Sequence, residues 1–369
     1  MTEADFSYTG ERFADIQLLR YRLNGFEQLS LSQKQYIYCL AKATLYGRDI
    51  TFDQFGRYNL IIRKTLEAIV SDLTLDERDN GEFDKLIVYL KRVWFSNGIY
   101  HHYGCEKFKP EFSEPFFRNI LNKVDSRRLP LESGETVEEL ADKLVRIMFD
   151  ADYLPKRVNK ADGDDLVMTS ACNYYEGVTQ DEAEDYYNSL KEKAGNNPPS
   201  FGLNSKLVKR DGKLTEEVYS ANGLYANAIR HIIYWLERAR DFAENDKQRD
   251  VISTLVDYYR TGDLVTFDEY SIKWVECLEG RVDFINGFIE VYGDPLGLKA
   301  SWEGIVEYTD LEATKRTRTI SDNAQWFEDN SPVDSRFRKP VVKGVTANVI
   351  CAAMLGGDEY PSTAIGINL

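Results

Sequence analysis

Histidine is scarce in this 369-residue chain, three in all, and the scarcity removes the commonest routes to hydrolytic chemistry. His101 and His102 are adjacent, His231 stands alone, and none is followed by Glu in a zincin spacing. Neighbouring side chains diverge along a backbone, so the pair is not expected to share an ion, and His231 reads as a satisfied or surface residue on an apolar helix. With no GxSxG elbow and so few histidines, no serine or cysteine nucleophile has a convincing base. Gly-rich phosphate loops are absent, because Gly356-Gly357 has no Lys-Ser or Lys-Thr behind it. The five cysteines, Cys39, Cys105, Cys172, Cys277 and Cys351, are scattered, odd in number and never spaced CxxC, which argues against a disulfide scaffold or zinc knuckle. Basic residues are the minority: 46 Lys and Arg against 61 Asp and Glu leave a formal net charge of −15. That balance excludes nucleic acid and anionic membranes as favoured partners and suits a cationic or N-terminally charged ligand better. No apolar run approaches 18 residues, and Met1-Thr-Glu-Ala-Asp lacks the basic and apolar regions of a leader, so a cytoplasmic protein is expected.

What is present is the composition of a packed globular protein. Hydrophobic residues are 43% and charged residues 29%, and at roughly 150 residues per domain the length suggests two or three units. Tyrosine is abundant, with 23 against 19 Phe and 5 Trp, so much apolar surface carries a polar tip.

Helical spacing dominates. Ser32-x-x-Gln35 predicts a helix stopped by Gly47; further helices are expected over Asn59–Leu73, Phe83–Phe95, after Thr136-x-x-Glu139 and after Thr179-x-x-Glu182. Residues 192–223 read as an irregular segment or short hairpin. Leu224–Phe242, Val251–Tyr259 and Thr266-x-x-Glu269 to about Ile289 complete a helical middle region. Thr346–Leu355 reads as helix-like, and Pro361–Leu369 alternates in the manner of a strand.

One cluster has chemical character. In Phe288-Ile-Glu-Val-Tyr-Gly-Asp-Pro-Leu-Gly297 a long apolar helix is expected to deliver Glu290 and Tyr292 together before a Gly-Asp-Pro turn. A carboxylate beside a phenol makes a receptor for an ammonium group. The same residues also describe a helix end with a solvated Glu and a packing Tyr, and spacing alone does not separate the two.

Four segments taken in order resemble the dipeptidyl peptidase III family, a family of zinc exopeptidases, and its bacterial, Bacteroides-type branch in particular. They are Trp94-Phe-Ser-Asn-Gly-Ile-Tyr with Lys107-Phe-Lys-Pro, Asn173-Tyr-Tyr, Glu290-Val-Tyr-Gly-Asp-Pro-Leu-Gly297 with Trp302-Glu-Gly, and Gly366-Ile-Asn-Leu369. The resemblance implies an α+β fold, predominantly helical and two-lobed, with a small antiparallel β-barrel core. It places residues 1–310 in a mixed lobe, 311–350 in a helical lobe, and 351–369 back in the mixed lobe as the cleft strand. It implies removal of dipeptides from the N-terminus of short peptides. Glu290 and Tyr292 would grip the free amino group, Asn368 would bond the peptide backbone, and the strand containing Ala364, Ile365 and Gly366 would pair with the peptide.

The family's His-Glu-x-x-x-His helix and its Glu-Glu helix, which carry the zinc ligands and the general base, have no counterpart here. The expectation is therefore the N-terminal, substrate-holding part of such an enzyme, truncated before the zinc motif, with no catalytic and no metal-binding residue of its own. Zinc would belong to the full-length enzyme, and the partners would be short peptides with a free N-terminus and the missing C-terminal catalytic region. The alternative is a non-catalytic peptide-binding module working by strand addition.

Overall fold

The computed structural model describes residues 6–74, 78, 80–342 and 348–361. The chain opens with strands β1 (Thr9–Phe13) and β2 (Ile16–Leu19) and then runs into helices α1 (Leu31–Leu45), α2 (Arg48–Phe55), α3 (Asn59–Asp72), α4 (Gly81–Phe95), α5 (Glu114–Leu121) and α6 (Val137–Phe149). A short strand β3 (Tyr175–Glu176) precedes α7 (Gln180–Ala194) and the hairpin β4 (Ser205–Arg210) and β5 (Lys213–Val218). Helices α8 (Ala226–Arg240), α9 (Asp246–Thr261) and α10 (Leu264–Glu276) lead to strands β6 (Val282–Glu290) and β7 (Ser301–Thr309). Helices α11 (Leu311–Asp322) and α12 (Ala324–Asp329) separate these from β8 (Ile350–Gly357).

Helices begin where a short polar side chain can take up their first free amides. Thr136 with Glu139 opens α6 and Thr179 with Glu182 opens α7, both as reciprocal boxes at the expected residues. The box at α1 is Ser30 with Gln33, two residues before the expected Ser32 and Gln35. Ser30-Leu-Ser-Gln-Lys-Gln35 contains S-x-x-Q twice, and only packing chooses between them. Helix α10 is capped by Asp263, whose side chain accepts from the Thr266 amide, and it stops at Glu276.

Two expected helical stretches are strands. Val282–Glu290 alternates Val282, Phe284 and Phe288 into the core and pairs antiparallel with β7. Gly280, at φ 118°, breaks the chain before it, and its β-branched and aromatic residues suit a pleated surface. The Ala-Ala-Met run read as helix-like is β8, which lies antiparallel to β7 on its other side. Pairing with β7 along the strand outweighs the helix preference of alanine.

The sheets are β1-β2, β3-β4-β5 with β3 parallel to β4, and the fully antiparallel β6-β7-β8. Mixed helix and sheet make the fold α+β. Among the described residues each sheet is open, and the expected barrel is not closed within them.

Helices α1, α8, α9 and α10 cover β6 and β7, burying Tyr36, Leu40, Ile232, Leu255, Phe288 and Trp302 in one core. A second core joins α3 to α6 through Ile62, Leu66, Leu86, Leu90, Phe117 and Leu144. Each such side chain removed from water contributes about 1.5–3 kcal/mol. A smaller core holds α7 against β3 and β4 through Tyr174, Tyr187 and Leu207. By contrast α11 and α12 bury no residue, and Trp326, Phe327 and Phe337 lie exposed.

Candidate functional site: the β6–β7 loop and the end of β8

Glu290 is the last residue of β6 and sits opposite Ser301, the first of β7, beside a register shift between Phe288 and Glu290. The expected helix end is thus a strand end, and Glu290 and Tyr292 are carried by the start of a hairpin loop. Glu290 is part-buried and Tyr292 is 73% exposed.

A buried carboxylate shapes that loop. Asp294 is fully enclosed; its Oδ2 accepts from the amides of Leu298 at 2.8 Å and Lys299 at 2.9 Å and from the Tyr175 hydroxyl at 2.9 Å, and its Oδ1 accepts from the Leu296 amide at 3.2 Å. Burial raises its pKa, and these four donors oppose the rise. Five residues on, Lys299 is buried with its Nζ donating to the Tyr187 hydroxyl at 2.6 Å and to Ser205 O at 3.0 Å, and burial lowers its pKa to about 8. The loop is therefore bolted to the β3-β4-β5 sheet and α7 rather than hanging from the hairpin.

The end of β8 closes the other side. Ser301 Oγ lies 3.0 Å from Glu290 O and 3.0 Å from Asp358 Oδ2. The side-chain amide of Asn97, just past α4, donates to Gly357 O at 3.2 Å and Tyr360 O at 2.9 Å, fixing the chain that bears Asp358. Glu303, two residues along β7, is 2% exposed, and its Oε2 has no hydrogen-bond partner among the described residues. Burial and the neighbouring Glu359, Asp358 and Glu290 push its pKa up to about 9. Glu290 is raised by burial and by Asp358, and Asp358 by burial against the opposing pull of Arg157. Glu290 and Glu303 are each raised by neighbouring carboxylates, and a cation arriving beside them lowers both.

A cavity of about 710 Å³ opens beside this cluster. Tyr292, Asp358, His102, Lys156, Arg157 and Lys160 are among the residues that line it.

The model of peptidase family M49 matches residues 157–345, just over half of the chain. The chain belongs to peptidase family M49. Relatives of this M49 chain include dipeptidyl peptidase 3 of Dictyostelium discoideum, 24% identical over 342 residues that cover 86% of this chain and 48% of the relative. Dipeptidyl peptidase 3 of Homo sapiens is 23% identical over 354 residues, covering 85% of this chain and 47% of the relative. The chain spans about half the length of the curated relatives it matches. Among solved structures, DPP III from Caldithrix abyssi superposes with a TM-score of 0.64 at 17% identity, over 93% of this chain and 52% of that one. The dipeptidyl-peptidase III from Corallococcus sp. strain EGB superposes at 0.57 and 19% identity, over 92% and 50%. These two show that the M49 chain shares their fold.

M49 is a zinc metallopeptidase family, and the described residues of this member do not fit a metal ion. Among them no group of three or more His, Cys, Asp and Glu side chains is placed to hold one. His101 and His102 do not diverge as expected: their rings stack 4.5 Å apart, and His101 Nδ1 accepts from the amides of Tyr103 and Gly104. His231 stacks on Tyr46 with centroids 4.6 Å apart. No helix among the described residues is long and apolar enough to cross a membrane.

Of the expected site residues, Glu290 and Tyr292 share one loop, while Ala364, Ile365, Gly366 and Asn368 lie outside the described residues. Sequence reasoning passed over Asp294, Ser301, Glu303 and Asp358. Two signals were available: Asp294 inside the Gly-Asp-Pro turn, and Glu303 two residues after Ser301 on the same strand face.

Proposed function

We propose that this chain is the substrate-holding part of a zinc-dependent dipeptidyl peptidase that removes dipeptides from the N-terminus of short peptides. Glu290 is the counter-ion of the peptide's free amino group, and the Tyr292 hydroxyl accepts a second hydrogen bond from it. The observation that carries this assignment is the electrostatic coupling of Glu290 and Glu303 to Asp358 at the start of β7, with none of the three carboxylates ion-paired among the described residues. Such a cluster favours an ammonium ligand over a neutral amide, because each N–H to carboxylate contact is charge-assisted. The strand over 363–368 would then take the peptide backbone by main-chain pairing, which gives affinity without demanding one sequence. Zinc and the general base come from the rest of the full-length enzyme, and this chain supplies binding and orientation.

In this assignment residues 1–310 and 351–369 form the mixed lobe and residues 311–350 reach into the helical lobe. Support comes from β8 pairing with β7 and from the exposed Trp326, Phe327 and Phe337 on the crossing segment.

Calorimetry with a tetrapeptide and its N-acetylated twin tests the proposal. The free amine should bind at least tenfold more tightly, and Glu290→Gln should erase most of that preference, since a hydrogen bond to a charged group is worth about 1.5–3 kcal/mol. Equal affinity for the two peptides would remove the amino-group receptor.

A further inference from the structure

The 710 Å³ cavity beside the receptor is lined by cationic side chains as well as by Asp358. Among them is Arg157, only 9% exposed, with the guanidinium stacked 4.2 Å over the Phe55 ring. Nη2 donates to His102 O at 3.4 Å and touches Cys105 Sγ at 3.8 Å, while Nε is enclosed with no partner among the described residues. Nη1 has no hydrogen-bond partner among the described residues and, unlike Nε, is not enclosed, which leaves it facing the cavity. Asp358 is within electrostatic reach of Arg157 but not within ion-pair distance, and its own oxygen is taken by Ser301. Lys156 and Lys160, both exposed, line the same cavity, and neither is ion-paired among the described residues.

A guanidinium nine-tenths buried without a carboxylate is costly, and the usual partner is a carboxylate whose two oxygens match its fork of N–H donors. The cavity is lined by both Asp358 and the cations Arg157, Lys156 and Lys160, and a ligand bearing both charges complements it.

We infer that this cavity binds a carboxylate, supplied by the side chain of an acidic first residue in the peptide whose amino group sits at Glu290. Tyr292 both follows Glu290 by two residues and lines the cavity, so a side chain leaving the amino-bearing carbon passes Tyr292 on its way to Arg157. This specificity rests on the amino-group assignment proposed above, but it is carried by different residues and fails separately.

The test is calorimetry on this chain with Asp-Ala-Ala-Ala, its isostere Asn-Ala-Ala-Ala, the N-acetylated forms of both, and succinate. Asp-Ala-Ala-Ala should bind about tenfold more tightly than Asn-Ala-Ala-Ala, and Arg157→Gln should abolish the difference. Because Arg157 packs on Phe55 and its loss can unfold the loop, Lys160→Glu is the second variant: it is exposed, leaves the fold intact and should cut the aspartate advantage several-fold. Equal binding of the two free peptides, both still preferred over their acetylated forms, overturns the specificity and leaves the amino-group receptor standing. An aspartate advantage that survives acetylation undiminished supports the carboxylate site and counts against Glu290 as the amino-group anchor. Succinate binding that depends on Arg157, with the two peptides equal, shows a site for free carboxylates and overturns the peptide side chain as its occupant.

Discussion

The Tyr175 hydroxyl donates to Asp294 Oδ2 across 2.9 Å, joining the two-residue strand β3 to the loop that carries Glu290 and Tyr292. With three backbone amides on the same carboxylate, this contact makes the loop's shape a property of the whole domain. Asp294→Ala strands four donors, two of them buried, and each buried unsatisfied group costs about 1–3 kcal/mol. A total loss of about 3–5 kcal/mol is expected in urea unfolding, in the range of other broken buried networks. The free-amine preference in peptide binding should fall with it, because Glu290 loses its fixed place. A variant within 1 kcal/mol of the parent would show that the loop is held by other contacts.

Glu303 makes a prediction about pH. Its pKa rises from 4.5 unfolded to about 9 folded, so between those values the folded state holds a proton that the unfolded state has released. Stability from this group is therefore fully present below pH 4.5 and is lost as pH rises toward 9. Asp53, raised to about 6, and Glu307, raised to about 7, slope the same way at lower pH. Lys299, lowered to about 8, adds an opposite slope only above pH 8. Between pH 5 and 8, Glu303→Gln should flatten the fall in stability and gain on the order of a few kcal/mol over the parent at pH 8. Thermal melts at fixed ionic strength measure it; parallel curves for parent and variant would mean that Glu303 ionises normally.

Gly47 lies where α1 turns into α2, and a Cβ there would meet the ring of Trp302 at 2.2 Å. Its φ of −81° strains no residue, so any effect of Gly47→Ala comes from the contact alone. Trp302 is fully buried, and its Nε1 donates to the Tyr259 hydroxyl at 3.0 Å, so the ring cannot retreat without breaking that bond. Overpacking of this kind costs about 1–3 kcal/mol. Denaturant unfolding followed by tryptophan fluorescence should show both the loss and a changed Trp302 environment. An unchanged midpoint would mean that the helix junction shifts freely.

Much of the helical region was legible because its signals are local. Thr136 with Glu139 and Thr179 with Glu182 act within four residues, and apolar spacing over 59–73, 83–95 and 226–240 needs no partner to be read. Strands β6 and β8 were misread because their defining contacts lie outside their own residues. Glu303 faces Gly287 on one side and Gly357 on the other, and neither pairing is visible along the chain. The site divides the same way. Glu290 and Tyr292 stood out as a carboxylate and a phenol two apart, whereas Asp358 became part of the site only when β8 paired with β7 and brought it to Ser301.

By itself the sequence determined the helix starts, the shortage of histidine, the acidic balance and the motif that holds Glu290, Tyr292 and Asp294 together, all of which depend on residue type and short spacing. Tertiary structure alone decided that Glu290 ends a strand, that Glu303 is buried with its Oε2 unpartnered among the described residues, and that Arg157 faces a cavity beside Tyr292. The physical reason is that desolvation and electrostatic coupling depend on distance through space. Glu290 and Asp358 are 68 positions apart in the chain, yet the Glu290 main-chain carbonyl and the Asp358 carboxylate each lie 3.0 Å from the same serine hydroxyl.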